Sequence, residues 1–171
     1  MKIEGRVWMF GDHVDTDLII PARYLNVSDK HQLAKHCFAD LRPEFVKEVR
    51  AGDIVVAGVN FGCGSSREQA PLAMKAAGVG AVIAKSFARI FYRNAFNIGL
   101  PILESEEVPE QVREGDSVSL DLSNGEIVET SQDKRFSARP VPDFMRAILS
   151  AGGLVEYLKK SQTAAEDLPG I

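Results

Sequence analysis

Residues 54–67 read IVVAGVNFGCGSSR, and this stretch decides the fold. Its first six residues form a mostly β-branched apolar run, which is typical of a parallel strand buried on both faces. The glycine-rich segment NFGCGSSR follows, and EQAPLAMKAA at 68–77 then reads as a helix that ends at Gly78. The pattern predicts a strand, a loop and a helix, the unit from which α/β domains are built.

The segments around this unit continue the alternation of strand and helix. AVIA at 81–84 is a second buried strand, and FARIFYRNAFNI at 87–98 has helical apolar spacing before Gly99. LPIL at 100–103 indicates a further short strand, and KIEGRVWMF at 2–10 alternates as a first strand. This order predicts an α/β fold with parallel strands.

The last third of the chain is predicted to add antiparallel strands and two helices. Asn124-Gly125 separates two strand-like segments, which favours a β-hairpin with a tight turn. The expected elements are strands over 116–122, 126–130 and 134–138 and helices over 142–150 and 154–160. A single domain over residues 1–160 accounts for all of them, and the polar residues 161–171 are expected to form a frayed tail.

Composition excludes several classes of function. The chain has 171 residues, 45% hydrophobic and 26% charged, with a formal net charge of −4. The acidic balance argues against non-specific binding to nucleic acid or an anionic membrane, and no apolar run reaches the ~18 residues of a membrane span. Cys37 and Cys63 are the two cysteines, without metal-ligand spacing. We therefore expect a cytoplasmic protein that holds no metal or iron–sulfur cluster itself.

The strongest chemical signal is the run Gly64-Ser65-Ser66-Arg67 between a predicted strand and a predicted helix. Such a loop leaves backbone N–H groups free and directs the positive end of a helix dipole at a ligand. Two hydroxyls and a guanidinium at the same place suit a carboxylate or a phosphate. The loop matches no standard phosphate-binding motif, because lysine is missing. Ser65-x-x-Glu68 is also compatible with a capping box, which would give this serine a structural role.

Two other segments carry candidate polar groups. In GDHVDTD at 11–17, Asp15 is expected to cap a turn, and Asp17 could orient an arginine or act as a base. Lys85 and Arg89 follow the AVIA strand, so they either form a second wall of an anion pocket or are simply solvated.

Three blocks make the chain recognisable: GDHVDTDLIIPARYLN at 11–26, NFGCGSSREQAP at 60–71 and AVIAKSFARIFYRNAFNIGLPIL at 81–103. They closely resemble the small subunits of 3-isopropylmalate dehydratase, which belong to the aconitase superfamily, and the resemblance extends over residues 3–160. It implies the swivelling β/β/α domain that corresponds to the C-terminal domain of aconitase. It also implies a large partner subunit that carries a [4Fe–4S] cluster, in a heterodimer or heterotetramer.

The resemblance further implies an activity and roles for single residues. The reaction would isomerise a small dicarboxylate, a malate derivative of leucine biosynthesis, by dehydration and rehydration. Ser65 corresponds to the catalytic base and Arg67 to a carboxylate-binding arginine. Gly64 and Ser66 would bind the substrate, with the Ser66 hydroxyl on a carboxylate, and Asp17 matches an acidic residue in the site. The resemblance thus implies three catalytic residues: Ser65, Arg67 and Asp17.

Substrate choice in this family depends partly on the segment Tyr24-Leu25-Asn26-Val27. Members that resemble homoaconitase tend to carry an arginine directly after Tyr-Leu, to hold an additional carboxylate. An uncharged, partly apolar segment suits an isopropyl group better. Citramalate or citraconate, 2,3-dimethylmalate and homoaconitate remain alternative substrates, and a stand-alone carboxylate-binding module remains an alternative function.

Overall fold

A computed structural model describes residues 1–166. Seven strands form one mixed sheet in the order β4-β3-β2-β1-β5-β6-β7. The strands are β1 (Lys2–Met9), β2 (Ile54–Ala57), β3 (Ala81–Ala84), β4 (Ile102–Glu104), β5 (Ser117–Asp121), β6 (Glu126–Glu129) and β7 (Lys134–Ser137).

One half of the sheet is parallel. β1 pairs with β2 through Trp8 and Val55, and β2 pairs with β3 through Val56 and Ile83. Every residue of β2 and β3 is buried, so this half is covered on both faces. The parallel strands buried on both faces, which the β-branched runs predicted, are therefore present, and the predicted α/β class is confirmed.

The other half of the sheet is antiparallel. β5 pairs with the side of β1 that faces away from β2, and β6 and β7 follow as a meander. Buried and half-buried residues alternate along β5 and β6, as expected for strands with one face on the core. The predicted hairpin turn forms at Asn124-Gly125, where Gly125 has a φ of +75°.

Helices and a single 3₁₀ turn connect the strands. They are α1 (Thr16–Ile19), a 3₁₀ turn (Ala22–Tyr24), α2 (Lys30–Ala34), α3 (Phe45–Glu48), α4 (Gln69–Ala77), α5 (Arg89–Ile98), α6 (Val108–Gln111), α7 (Asp143–Ala151) and α8 (Leu154–Glu166). Among these helices, none is both long and apolar enough to cross a membrane.

Several predicted boundaries differ from the structure. Strand β4, for example, begins at Ile102 rather than at residue 100. Helix α5 begins at Arg89 rather than at residue 87, because Phe87 forms a parallel bridge with Phe61 and keeps the chain extended. Helix α8 continues to Glu166, so residues 161–166 are helical where we expected a frayed tail. Residues 167–171 of that predicted tail lie outside the described residues. The single-domain boundary at residue 160 stays a prediction.

A buried carboxylate fixes the start of β2 against β1. Asp53 is 3% exposed and accepts a hydrogen bond from Trp8 Nε1 at 2.8 Å. It also accepts from the backbone N–H of Arg50 at 3.0 Å and lies 3.4 Å from Arg6 Nη2. Phe45 packs edge-on against the same tryptophan, with ring centroids 4.9 Å apart. Trp8 is therefore held both by a hydrogen bond to Asp53 and by ring packing against Phe45.

Replacing Asp53 by alanine is expected to lower the free energy of unfolding by about 2–4 kcal/mol, because Trp8 Nε1 and Arg6 lose their buried acceptor. Urea denaturation followed by tryptophan fluorescence measures the change. Asp143→Ala is the matched control, since this carboxylate is 94% exposed and, among the described residues, pairs with Arg146 alone, so its loss should cost less than about 0.5 kcal/mol. Equal stability of both variants would contradict the role given to Asp53.

Candidate functional site

The candidate site lies at the carboxyl edge of the parallel strands. Because β1, β2 and β3 run parallel, the loops that follow them meet at the same edge. We call residues 11–17, after β1, the aspartate loop, and residues 60–67, after β2, the serine loop.

Hydrogen bonds join the two loops directly. The N–H of Gly62 donates to the carbonyl of Val14 at 2.8 Å, and the N–H of Thr16 donates to the carbonyl of Cys63 at 2.9 Å. The hydroxyl of Thr16 donates to the carbonyl of Ser65 at 2.9 Å. Thr16 is 2% exposed, so this contact is shielded from competing water. The position of the serine loop is thus set by the aspartate loop.

The connection after β3 holds the other side of the serine loop. Phe61 donates its N–H to the carbonyl of Ser86 at 3.0 Å and accepts from the N–H of Ala88 at 2.9 Å. The hydroxyl of Ser86 accepts from the N–H of Asn60 at 2.9 Å. Ser86 therefore ties two loops together, and Ala88 is the N-cap of α5.

Close packing requires glycine at two positions of the serine loop. Gly62 has a φ of +78°, and a Cβ there would lie 2.2 Å from Cγ of Phe91. Gly64 has a φ of +85°, and a Cβ there would lie 2.2 Å from Oδ2 of Asp15. A side chain at either position would meet both backbone strain and a collision. The two glycines let the loop lie against α5 on one side and against the aspartate loop on the other.

Arg67 and Asp17 form an ion pair between the loops. Nη1 of Arg67 donates to Oδ1 of Asp17 and, at 3.2 Å, to the carbonyl of Ile20. The arginine side chain is only 13% exposed, whereas the aspartate is 53% exposed. The structure thus brings together two of the three predicted catalytic residues. Asp17 orients the guanidinium of Arg67. The remaining N–H donors of this guanidinium have no protein acceptor among residues 1–166.

The third predicted catalytic residue, Ser65, lies two positions before this pair. Gly64, Ser65 and Ser66 are exposed, and neither serine hydroxyl has a hydrogen-bond partner within the described residues. The backbone N–H groups of residues 65–68 likewise donate to no acceptor in that part of the chain. The N-cap of α4 is Glu68, without a side-chain cap, so the capping box does not form. Free hydroxyls and N–H groups before a helix make an anion-binding surface.

Asp15 and Cys63 have structural roles at the site. Asp15 caps α1 by accepting the N–H of Asp17 at 2.7 Å, as predicted. Burial raises the pKa of the Cys63 thiol, and the negative charge of Asp15 raises it further. A thiol held in its neutral form is a poor nucleophile, which agrees with a packing role for this cysteine.

The predicted specificity segment, Tyr24 to Val27, follows Ile20 by a few residues. Tyr24 stacks on His36 with ring centroids 3.7 Å apart and the planes at 3°. Tyr24, Leu25 and Val27 are half-buried against the core, and Asn26 is exposed. No hydrogen bond in the described chain joins this segment directly to the serine loop. Its connection runs through Ile20, which accepts from Arg67.

The residue directly before this segment, Arg23, pairs with an acid of this chain. Arg23 Nη1 donates to Oδ2 of Asp40 at 2.7 Å, and Nη2 pairs with the other carboxylate oxygen. The guanidinium carbon also lies 4.6 Å from the ring centroid of Tyr24. Sequence reasoning missed Asp40 and His36, which lie well after the segment they hold, and no local pattern marks such a pairing.

The sequence left open whether Lys85 and Arg89 form a second wall of an anion pocket or are solvated. The structure places these two residues in different surroundings. Lys85 donates to Glu110 Oε1 at 2.6 Å, and this ion pair raises the pKa of the lysine. Arg89 instead lines a cavity of about 500 Å³ that begins at Ser66. The other residues of this cavity are Ile90, Arg93 and Asn94.

The described residues do not contain the ligand set of an iron–sulfur cluster. Within residues 1–166, no group of three or more histidine, cysteine or carboxylate side chains is arranged to hold a metal. Cys37 is fully buried, and burial strongly raises the pKa of its thiol, which disfavours the thiolate that a metal needs.

Comparisons with known proteins agree with this geometry. Residues 46–107 match the family model described as the aconitase C-terminal domain. The chain is 55% identical to the 3-isopropylmalate dehydratase small subunit of Thermodesulfovibrio yellowstonii, over 98% of this chain and 99% of the relative. It is 61% identical to the small subunit of Nautilia profundicola, over 92% and 95% of the two chains.

A solved structure extends these similarities to the fold. The crystal structure of 3-isopropylmalate dehydratase from Methanocaldococcus jannaschii superimposes with a TM-score of 0.93. It is 50% identical to this chain, with 99% of this chain and 100% of the other covered. The β/β/α architecture expected from the resemblance is confirmed. High identity over nearly the whole length shows that the chain belongs to the family of 3-isopropylmalate dehydratase small subunits.

Proposed function

We propose that this chain is the small subunit of a hydro-lyase that interconverts 2-isopropylmalate and 3-isopropylmalate by dehydration and rehydration in leucine biosynthesis. The observation that carries the proposal is the convergence of Ser65, Arg67 and Asp17 at one edge of the sheet. The chain also matches small subunits of that name over nearly its full length.

Ser65 is proposed as the base that takes the proton from the carbon beside a substrate carboxylate. A serine hydroxyl is a weak base, so its alkoxide must be stabilised. The backbone N–H groups of residues 65–68 have no other described acceptor, and they precede the N-terminus of α4. Donors fixed in this way before the reaction stabilise negative charge without reorganisation.

Arg67 and Ser66 are proposed to hold the substrate carboxylates. Asp17 and Ile20 engage Nη1 of Arg67, which leaves Nε and Nη2 to bind a carboxylate with two parallel hydrogen bonds. Ser66 is exposed, and its hydroxyl has no hydrogen-bond partner among the described residues, so it is available to a substrate carboxylate. Asp17 is a positioning residue in this arrangement, since it fixes the plane of the guanidinium.

We further propose that a large subunit supplies the [4Fe–4S] cluster, in a cytoplasmic heterodimer or heterotetramer. The described residues do not fit such a cluster. The exposed serines would then face the large subunit, so that the substrate is enclosed between the two chains. On its own, this chain is expected to be inactive.

The contacts of Arg23 favour isopropylmalate over a more highly charged substrate. Asp40 pairs with this guanidinium, which is therefore not free to bind another carboxylate. The half-buried side chains of Leu25 and Val27 leave an uncharged segment that suits an isopropyl group. Citramalate or citraconate, 2,3-dimethylmalate and homoaconitate are the alternative substrates, to be assayed in parallel.

Ser65→Ala is expected to lower kcat by a factor of about 10²–10⁴ in the anaerobically reconstituted complex, because the proton acceptor is lost. Binding of the large subunit should be unchanged. Ultraviolet absorbance of the alkene intermediate follows turnover of 3-isopropylmalate. Ser66→Ala should instead act mainly by raising KM, since it removes a carboxylate contact.

Ser28→Ala, at an exposed serine outside the site, is the matched control and should keep full activity. Near wild-type turnover by the Ser65→Ala complex would contradict the proposed base. Measurable carboxylate binding by the isolated chain, without any large partner, would favour a stand-alone binding module instead.

Asn26→Arg is expected to shift substrate preference toward homoaconitate, because it places a guanidinium directly after Tyr24-Leu25. The kcat/KM for 3-isopropylmalate should fall at least about tenfold relative to that for homoaconitate. Asn26→Gln lengthens the side chain without adding charge and is the control. An unchanged ratio of the two kcat/KM values would remove this position from the specificity segment.

A further inference from the structure

A small exposed surface on α5 borders the serine loop and has no assigned role. It consists of Arg89, Ile90 and Arg93, which we call the α5 patch, and it shares a cavity of about 500 Å³ with Ser66. Residues 89 and 93 are one helical turn apart, so their side chains lie on one face of the helix.

The two arginines have no anionic partner among the residues that the structure describes. Neither guanidinium forms an ion pair or a hydrogen bond with any of residues 1–166, whereas Arg23, Arg42 and Arg67 each pair with a carboxylate. Like charges at positions four apart on a helix repel each other. The isolated chain therefore contains a local excess of positive charge that an external anion would relieve, although the whole chain is acidic.

An apolar side chain lies beside the two charges, since Ile90 lines the same cavity as both arginines. Ile90 is 52% exposed, whereas its neighbour Phe91 is buried. Protein interfaces commonly combine a desolvated apolar centre with arginine, which is enriched there relative to the rest of the protein surface. A free carboxylate ligand would need the arginines but would gain little from the isoleucine, so the patch fits a protein surface better.

We propose that the α5 patch docks on the large subunit, at a site where Asp or Glu carboxylates surround an apolar contact. The proposal rests on the proposed function, which requires the exposed Ser65 and Ser66 to face that subunit. A surface that shares a cavity with Ser66 is then covered in the same step. Complementary charge at such a position accelerates association and fixes orientation.

Charge reversal tests the docking surface in the full chain. The probe is the purified large subunit of 3-isopropylmalate dehydratase from the same organism, with its affinity measured anaerobically. Arg89→Glu/Arg93→Glu should weaken binding on the order of tenfold or more at low salt. The loss should shrink as ionic strength rises toward about 0.5 M, because salt screens the lost attraction. Ile90→Ser should weaken binding at all salt concentrations.

Folding of the reversed variant is checked by its circular dichroism melt. Arg89→Glu places a carboxylate in the first turn of α5, where it interacts favourably with the helix dipole, so we expect the helix to persist. Arg89→Gln/Arg93→Gln removes the charges without reversing them and should give an intermediate loss of affinity. This second variant keeps the test valid if the reversed one fails to fold.

Lys47→Glu/Arg50→Glu is the matched control. It makes the same change in net charge at two exposed cations that precede β2, at the opposite edge of the sheet, and it should bind normally. Equal affinity of the α5 variants, the control and the unaltered chain would overturn the docking surface alone. A raised KM for 3-isopropylmalate with normal subunit affinity would also overturn it, and would assign the patch to the substrate. Absence of binding by the unaltered chain would overturn the proposed function as well.

Discussion

The site depends on the hydrogen bonds that join the aspartate loop to the serine loop. Thr16 contributes most, because its N–H and its hydroxyl both donate to carbonyls of the opposite loop. Asp17 is the next residue, and Ser65 carries one of those carbonyls. These two bonds of Thr16 therefore set the position of Asp17 relative to Ser65. The Arg67–Asp17 ion pair adds a second link between the same two loops.

Much of this architecture could be predicted from local sequence. The β-branched runs at β2 and β3 identified strands buried on both faces, and parallel order placed the serine loop and the loop after β3 at one edge. Local sequence gave no signal for contacts made across the fold. Phe87 is extended because it pairs with Phe61, although its own segment has helical spacing. The hydroxyl of Thr16 likewise binds the carbonyl of Ser65, 49 residues further along the chain.

The arginines near the site differ in whether a carboxylate of this chain pairs with them. Asp17 orients Arg67 and partly balances its charge, so this arginine presents a fixed hydrogen-bonding edge. Arg89 and Arg93, on the adjacent helix, have no such partner in the described chain. The first arrangement suits recognition of a small planar carboxylate in one orientation. The second suits attraction over a longer distance, where exact geometry matters less.

The place of β1 between the two halves of the sheet has a consequence for synthesis of the protein. β1 leaves the ribosome before either of its neighbours, and it pairs with β2 on one side and with β5, from residue 117 onward, on the other. Its antiparallel edge must remain unpaired until most of the chain has been translated. Long sequence separation between paired strands slows folding. The nascent chain therefore carries an open strand edge, which is a surface that chaperones protect from aggregation.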